Sequence, residues 1–472
     1  MKRVPVKMTL MALALACGAV AQQPKGAAGL LRAFFEAVNS NEPGAVAEFY
    51  KDGVTEDFRT LRSPEENRAF YERIRNDLGK LTVQGMRQVG PAKAVVTLEA
   101  EKMSMPVEFA FDLVDGKIDG LSVHVGGHGG GGRETKVRLP EGASDEELAV
   151  ALDRQLRELV KADEFSGVVL LARNGEPIFH RGYGFAERES GRLVTTGTRF
   201  DVASITKFLT KIAVAQLAQT GTLELSDLIF EHLPKYPNPE AARKITIQHL
   251  VDHSSGLGDI FNQRWMEVDK SVFIEPVDFF SIFADQPLRF EPGERRFYSN
   301  AGYITLGAVV AAVSGTPYFE YIEENILRPA GMTPSGFPAK DGSDPGIAVG
   351  YTRGGPMGGH TDAGGPLRAN LGMLPIRGCP AGSSTHSAED LLELDRALRA
   401  GKLLNPKWTA WVFGSDVVDE DGGYKIGVAG GGPGVSAGWQ SDGAVTAIVL
   451  ANLDPPAGEG LAMELYRALA EP

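Results

Sequence analysis

Gly126-Gly127-His128-Gly129-Gly130-Gly131-Gly132 is the feature that most limits what this chain can build. Glycine carries no Cβ to pack and loses more backbone freedom on ordering than any other residue, so such a run neither propagates a helix nor anchors a strand. Residues 126–133 therefore read as a flexible linker, and the sequence on either side has to form its own core. A phosphate cradle is the competing reading, but the run lacks a Lys-Ser/Thr ending and a strand-to-helix context. The chain of 472 residues is long enough for two such cores. Its balance of 43% hydrophobic and 23% charged residues is globular, not disordered, collagenous or coiled-coil. The net charge of −13 repels phosphate backbones, which excludes nucleic acid as a partner.

Residues 1–21 read as an export signal: Lys2, Arg3 and Lys7 precede an apolar run from Met8 to Val20 that closes in Ala19-Val20-Ala21. The run is too short to cross a bilayer. An exported protein, periplasmic or secreted, is expected, with no integral membrane segment after cleavage. Cys17 offers a lipoprotein alternative, weakened by Ala14 where that kind of signal favours Leu. Cys379 would then be the remaining thiol, and one thiol forms no intramolecular disulfide.

Residues 27–125 show helical stripes followed by strand alternation. Leu30, Leu31, Phe34, Phe35 and Val38 fall on one helical face, a second helix follows Pro43, and a third opens at Ser63-Pro64-Glu65-Glu66. Strands are expected near 81–88, 93–101, 105–113 and 117–125, with Asp115-Gly116 as a hairpin turn. This small α+β domain resembles the nuclear-transport-factor-like cone fold. No paired acid and base stands out in it, so an accessory role is expected and no active site is assigned.

Residues 134–472 read as one large domain. A helix over Ser144 to Lys161 leads into strands near 166–173 and 177–184 joined at Asn174-Gly175. A helical middle spans about 204–330, strands return near 411–452, and a helix over Glu459 to Ala470 closes the chain. Terminal strands around a helical middle predict an α+β fold in which an antiparallel sheet from both chain ends packs beside a helical subdomain.

Ser204-Ile205-Thr206-Lys207 is an S-x-x-K at the start of an apolar helical stripe formed by Ile205, Phe208, Leu209 and Ile212. Three-residue spacing puts Ser204 and Lys207 on one face, and the free N–H groups of a helix start favour an oxyanion. A serine hydroxyl needs a neighbouring base, and an amine serves only where burial or nearby positive charge disfavours its proton. Tyr298-Ser299-Asn300 supplies a second proton carrier and an amide on alternate positions of a short segment. Tyr236-Pro237-Asn238 has the same spacing but sits in a proline-rich loop, which favours Tyr298.

S-x-x-K followed about ninety residues later by Y-x-N, with His253-Ser254-Ser255-Gly256-Leu257, Arg328-Pro329-Ala330-Gly331-Met332 and Pro380-Ala381-Gly382 as supporting stretches, resembles the serine β-lactamase and penicillin-binding-protein superfamily. The nearest branch looks like class C β-lactamases, DD-peptidases and related esterases, and the likeness covers about residues 145–470. It implies Ser204 as the acylated nucleophile, Lys207 as its base and Tyr298 as the proton shuttle. Asn300 would position substrate and Lys207, and the oxyanion hole would use the N–H groups of Ser204 and Gly431. The third motif departs from the family's K-T-G or H-x-G. In Gly427-Val428-Ala429-Gly430-Gly431, Gly430 matches but Val428 stands at the cationic or polar position. That removes a group suited to a substrate carboxylate.

Competing signals are weaker. Gly434-Val435-Ser436-Ala437-Gly438 has the spacing of a nucleophile elbow, but no histidine follows it and Ala444 to Ala451 reads as a strand. His249 and His253 stand at i, i+4 as zinc ligands do, but Leu250 occupies the place of the required Glu, so structural roles are expected. His360 reads as a loop residue, and Cys379 as inert. The expected function is an exported serine hydrolase, of esterase, amidase or peptidase type, acting on a small ester, amide or peptide with no metal or cofactor. The alternative is a non-catalytic or weakly active binder of penicillin or peptidoglycan peptides.

Overall fold

The computed structural model describes residues 26–470 apart from residues 41, 43, 61–66, 69–70, 73, 76–77, 89–91, 102–106, 126–136, 138, 141, 333–335, 354–365, 374, 376 and 415–423. The expected export signal, the glycine run, the start of the third helix at Ser63-Pro64-Glu65-Glu66 and His360 lie outside the described residues.

In the N-terminal part, the helix Ala27–Asn39 buries Leu31, Phe34, Phe35 and Val38 and is followed by the helix Ala45–Gly53. Four strands, Leu81–Gln88, Lys93–Ala100, Val107–Val114 and Lys117–Val125, then form an antiparallel meander. The last hairpin turns at Asp115 and Gly116, with φ of 50° and 76°, the left-handed pair that matches strand twist. Phe34 and Phe35 meet Phe109 and Phe111 of the sheet, mostly edge to face. Fully burying such a ring contributes roughly 1.5–3 kcal/mol before entropy is charged against it.

In the C-terminal part, a five-stranded antiparallel sheet runs in the order Ile426–Gly432, Val435–Ser441, Val445–Ala451, Gly167–Arg173, Glu176–Tyr183. Both ends of this part of the chain meet in its middle, where Val445 pairs with Arg173 and Ala451 with Gly167. Gly167–Arg173 reads Gly-Val-Val-Leu-Leu-Ala-Arg because both of its faces are covered. Val169 and Leu171 pack with Leu152 and Leu156 of the helix Asp145–Lys161 and Leu461 and Leu465 of the helix Glu459–Ala470. Val168 and Leu170 point the other way, into a core shared with the helices Thr206–Gln219, Asn300–Ser314 and Ala388–Arg399. Ser144 and Glu147 form a reciprocal capping box that starts the helix Asp145–Lys161.

One expectation fails. Residues 411–413 are helical, not strand, because they end the helix Pro406–Phe413. Asn405 Oδ1 accepts the Trp408 N–H at 3.1 Å, and Pro406 takes the first helical position. That start signal outweighs the strand-like look of Trp411-Val412-Phe413.

Candidate active site

The candidate nucleophile, Ser204, sits on a tightly held turn. The short strand Phe200–Asp201 leads into a single 3-10 turn over Ala203–Ile205 and then the helix Thr206–Gln219. Ala203 has φ of +43°, a left-handed conformation that costs a non-glycine residue about 1 kcal/mol or more. The surroundings hold it there. Its N–H donates to Asp201 Oδ1 at 2.8 Å, and its carbonyl accepts from Thr206 Oγ1 at 2.7 Å and from the Ser383 N–H at 3.0 Å. Lys340 Nζ in turn donates to Asp201 Oδ2 at 2.7 Å.

Ser204 Oγ lies 2.7 Å from Tyr298 OH and 3.1 Å from Lys207 Nζ. Lys207 is buried, and its Nζ also donates to Asn300 Oδ1 at 2.8 Å and to the Ala381 carbonyl. An amine nitrogen has three hydrogen or lone-pair positions besides its carbon. Two are fixed by Asn300 and Ala381, so the third faces Ser204. The same nitrogen lies 4.8 Å from the Tyr298 ring centroid and 5.7 Å from that of Tyr303, a desolvated aromatic cage for a cation.

Two further residues complete the cluster. Asn300 Nδ2 donates to Asp259 Oδ1 and Oδ2 at 3.1 and 3.2 Å, which turns Oδ1 of the amide toward Lys207. Burial pushes the Asp259 carboxyl up; the Asn300 amide, the Phe261 and Ile260 N–H groups and the Lys207 charge oppose it. His253 stacks on Tyr298 with ring centroids 4.6 Å apart, and its Nδ1 accepts the Ser299 N–H at 3.1 Å. That bond puts the proton of the neutral ring on Nε2. Burial first, then the Lys207 and Arg296 charges, hold the His253 pKa down at about 3. The imidazole is therefore neutral at ordinary pH and adds no charge beside Lys207.

The strand Ile426–Gly432 forms the opposite wall at the sheet edge. Ile426, Val428 and Gly430 alternate onto one face. At Gly430 a Cβ would stand 2.2 Å from the Val202 carbonyl and 2.8 Å from the Ser204 nitrogen, so only glycine lets the strand approach the Ser204 turn. Gly431 follows, paired with Ser436, and Val428 packs partly buried against the main core. The site is thus walled on this side by an aliphatic side chain and glycine backbone.

Other sequence candidates fall elsewhere. Tyr236 is buried against Phe280, and Asn238 caps a short helix through Ala241. Ser436 lies inside a strand, where its Oγ accepts the Gly458 N–H at 2.8 Å, and Val445–Ala451 after it is a strand, so no elbow exists there. His249 ends up on the helix Ile247–Val251, but His253 lies beyond it with φ of +59°, so the two share no helical face. Cys379 is buried, and burial pushes its thiol up. Among the described residues no group of three or more His, Cys, Asp or Glu is placed to hold a metal ion, and no helix is long and apolar enough to cross a membrane.

A match to the family described as Beta-lactamase runs over residues 152–471, more than half of the chain. The chain belongs to the beta-lactamase family. Among relatives of this beta-lactamase family member is a "Putative penicillin-binding protein PbpX" of Bacillus subtilis, 31% identical over 275 residues that make up 58% of this chain and 65% of the relative. The chain thus spans just under two thirds of that relative's length. A crystal structure of a penicillin-binding protein from Bacillus halodurans superposes with a TM-score of 0.57 at 31% identity, covering 65% of this chain and 97% of the other. EstCE1, described as a hydrolase with promiscuous acyltransferase activity, shares the fold at a TM-score of 0.55 and 20% identity, covering 69% of this chain and 99% of its own.

Proposed function

We propose that this beta-lactamase family member is an exported serine hydrolase of esterase, amidase or peptidase type that works through an acyl-enzyme on Ser204. The observation that carries the reading is the contact of one hydroxyl, Ser204 Oγ, with both the Tyr298 phenol and the Lys207 amine. As Oγ bonds to the substrate carbonyl carbon, its proton passes to the Tyr298–Lys207 pair. The oxyanion is taken by the N–H groups of Ser204 and Gly431. The pair then returns the proton to the departing oxygen or nitrogen as the C–O or C–N bond breaks. Water repeats the sequence in reverse, giving its proton to the pair while its oxygen attacks the acyl carbon, and Ser204 is regenerated. Asn300 and Asp259 hold Lys207, and His253 supports the Tyr298 ring.

A second reading, a penicillin or peptide binder that does not turn over, is favoured by Val428, which leaves the wall opposite Ser204 without a polar side chain. Treatment with a fluorophosphonate and with a labelled penicillin, followed by mass analysis of the Ser204 peptide and assay of a generic ester, separates the two. Label with turnover supports the hydrolase, and label without turnover supports the binder. Absence of label on Ser204 overturns both. Ser204→Ala should abolish labelling, and Tyr298→Phe should slow it by about 100-fold or more, as loss of a positioned proton carrier does. The N-terminal part fits a cone-like accessory domain to which no active site is assigned.

A further inference from the structure

Three arginines stand in the segment that leads into Tyr298: Arg289, Arg295 and Arg296. Among the described residues none of them has a carboxylate within ion-pair distance, although the chain carries a net charge of −13. Several other arginines do find acids: Arg264 pairs with Asp285 at 2.6 Å and Arg199 with Asp344 at 2.6 Å. None of the three guanidiniums is held in an ion pair among the described residues.

Two of them are mounted on a rigid floor. The Arg289 guanidinium lies 4.2 Å from the Phe297 ring centroid and that of Arg295 lies 4.8 Å from Phe290. The two rings are buried and meet edge to face at 6.4 Å. Stacking on fixed rings restrains the planar forks, so less side-chain freedom remains to be lost when a ligand is gripped. Arg295 Nε is buried with no hydrogen-bond partner. Burial and the Arg295 charge both push the Arg289 pKa down, with Asp259 opposing, which places the two cations within each other's field. The nearby acids are engaged otherwise. Asp259 accepts from Asn300 and from the Ile260 N–H, Glu291 pairs with Lys244 at 3.2 Å, and Glu294 accepts the Glu291 N–H.

Arg289 borders the loop that positions Asn300. The Arg289 N–H donates to the Gly256 carbonyl at 2.8 Å, and its Cδ lies against Gly258. Gly258 accepts from Ser299 Oγ at 2.7 Å, and the next residue, Asp259, holds Asn300. Resting on the acyl-enzyme reading, we infer that Arg289 and Arg295 form a binding subsite for a carboxylate that the substrate carries away from its reacting carbonyl. The preferred donors are then half-esters or acidic acyl compounds, and the anion is gripped by stacked arginines rather than from the Val428 position.

The test compares matched esters. Phenyl butyrate and monophenyl glutarate differ by a carboxylate on the acyl half, and phenyl acetate and 4-acetoxybenzoate by one on the leaving half. In R289Q/R295Q the preference for the anionic member of at least one pair should fall about tenfold, as expected for lost charge-assisted hydrogen bonds, while the neutral esters change less than about twofold. R289K keeps charge but not the planar fork and should give an intermediate preference. Calorimetric titration with monomethyl glutarate in the Ser204→Ala protein, with and without R289Q/R295Q, reads the same site without turnover, and its affinity should fall in step. Preferences and affinity unchanged in the double variant overturn the subsite. Arginine-dependent binding together with an unlabelled Ser204 would keep the subsite and sink the acyl-enzyme reading; a labelled Ser204 with arginine-independent binding would do the opposite.

Discussion

The Asn300 amide nitrogen donates to both oxygens of the Asp259 carboxylate, at 3.1 and 3.2 Å, while its carbonyl oxygen accepts from Lys207 at 2.8 Å. An amide can flip, and a flipped Asn300 would aim N–H groups at the Lys207 amine. Asp259, acceptor-only when ionised, forbids that. Asp259→Asn keeps the shape but turns one acceptor oxygen into a donor and so removes the orientational preference. Fluorophosphonate labelling of Ser204 should slow about 10- to 100-fold, the range for loss of a hydrogen bond to a charged group, while the melting curve stays cooperative. An unchanged labelling rate would show that Lys207 holds its place without this support.

Gly430 marks where the edge strand passes the Ser204 turn, because a Cβ there would meet the Val202 carbonyl at 2.2 Å and the Ser204 nitrogen at 2.8 Å. Neither neighbour is a flexible side-chain end, so Gly430→Ala has to displace backbone. Displacements near 1 Å at a reacting group cost about 100-fold in rate, and a loss of that size is expected in ester turnover. Gly432, with nothing within 4 Å of its Cβ position, is the control whose alanine variant should retain activity.

The sequence made Ser204, Lys207, Tyr298 and Asn300 legible because each belongs to a short pattern, the first two sharing a helical face at three-residue spacing and the last two alternating along a short extended segment. The helix expected from Ser144 to Lys161 is started in the structure by a Ser144–Glu147 capping box. Asp259 had no such pattern: it lies in an irregular loop, and its importance comes from a residue 41 positions away. His253 drew notice through its spacing to His249, which assumes a continuous helix; the φ of +59° at His253 breaks that assumption and turns the ring onto Tyr298. The arginine pair was hidden for a related reason, since only the folded chain shows which acids fail to reach Arg289 and Arg295.

Val428 shares its strand face with Gly430 and packs against apolar neighbours. A histidine at this position would put a ring nitrogen on the wall opposite Ser204. Val428→His should raise kcat/KM for carboxylate-bearing substrates about tenfold, as one charge-assisted hydrogen bond does, and leave neutral esters nearly unchanged. Equal rates on the two substrate classes before and after substitution would mean that the third-motif position has no access to substrate.

His386 gives stability a defined pH dependence. Its ring is 1% exposed with Nε2 at 2.8 Å from Ser384 Oγ, and burial, only partly opposed by Asp390 and Asp201, holds its pKa down at about 4. In the unfolded chain a histidine takes its proton near pH 6.5. Between these values the unfolded state binds a proton that the folded state refuses, so the folded protein is fully stable above pH 6.5 and loses stability as pH falls toward 4. The loss is about 1.4 kcal/mol per pH unit for one such group. Other titrating groups cancel in a comparison with His386→Gln. The stability difference between the protein and that variant, from urea unfolding at pH 7.5, 6.0 and 5.0, should therefore shrink by about that amount per unit below pH 6.5. A difference independent of pH would mean that the imidazole carries its proton within the folded core.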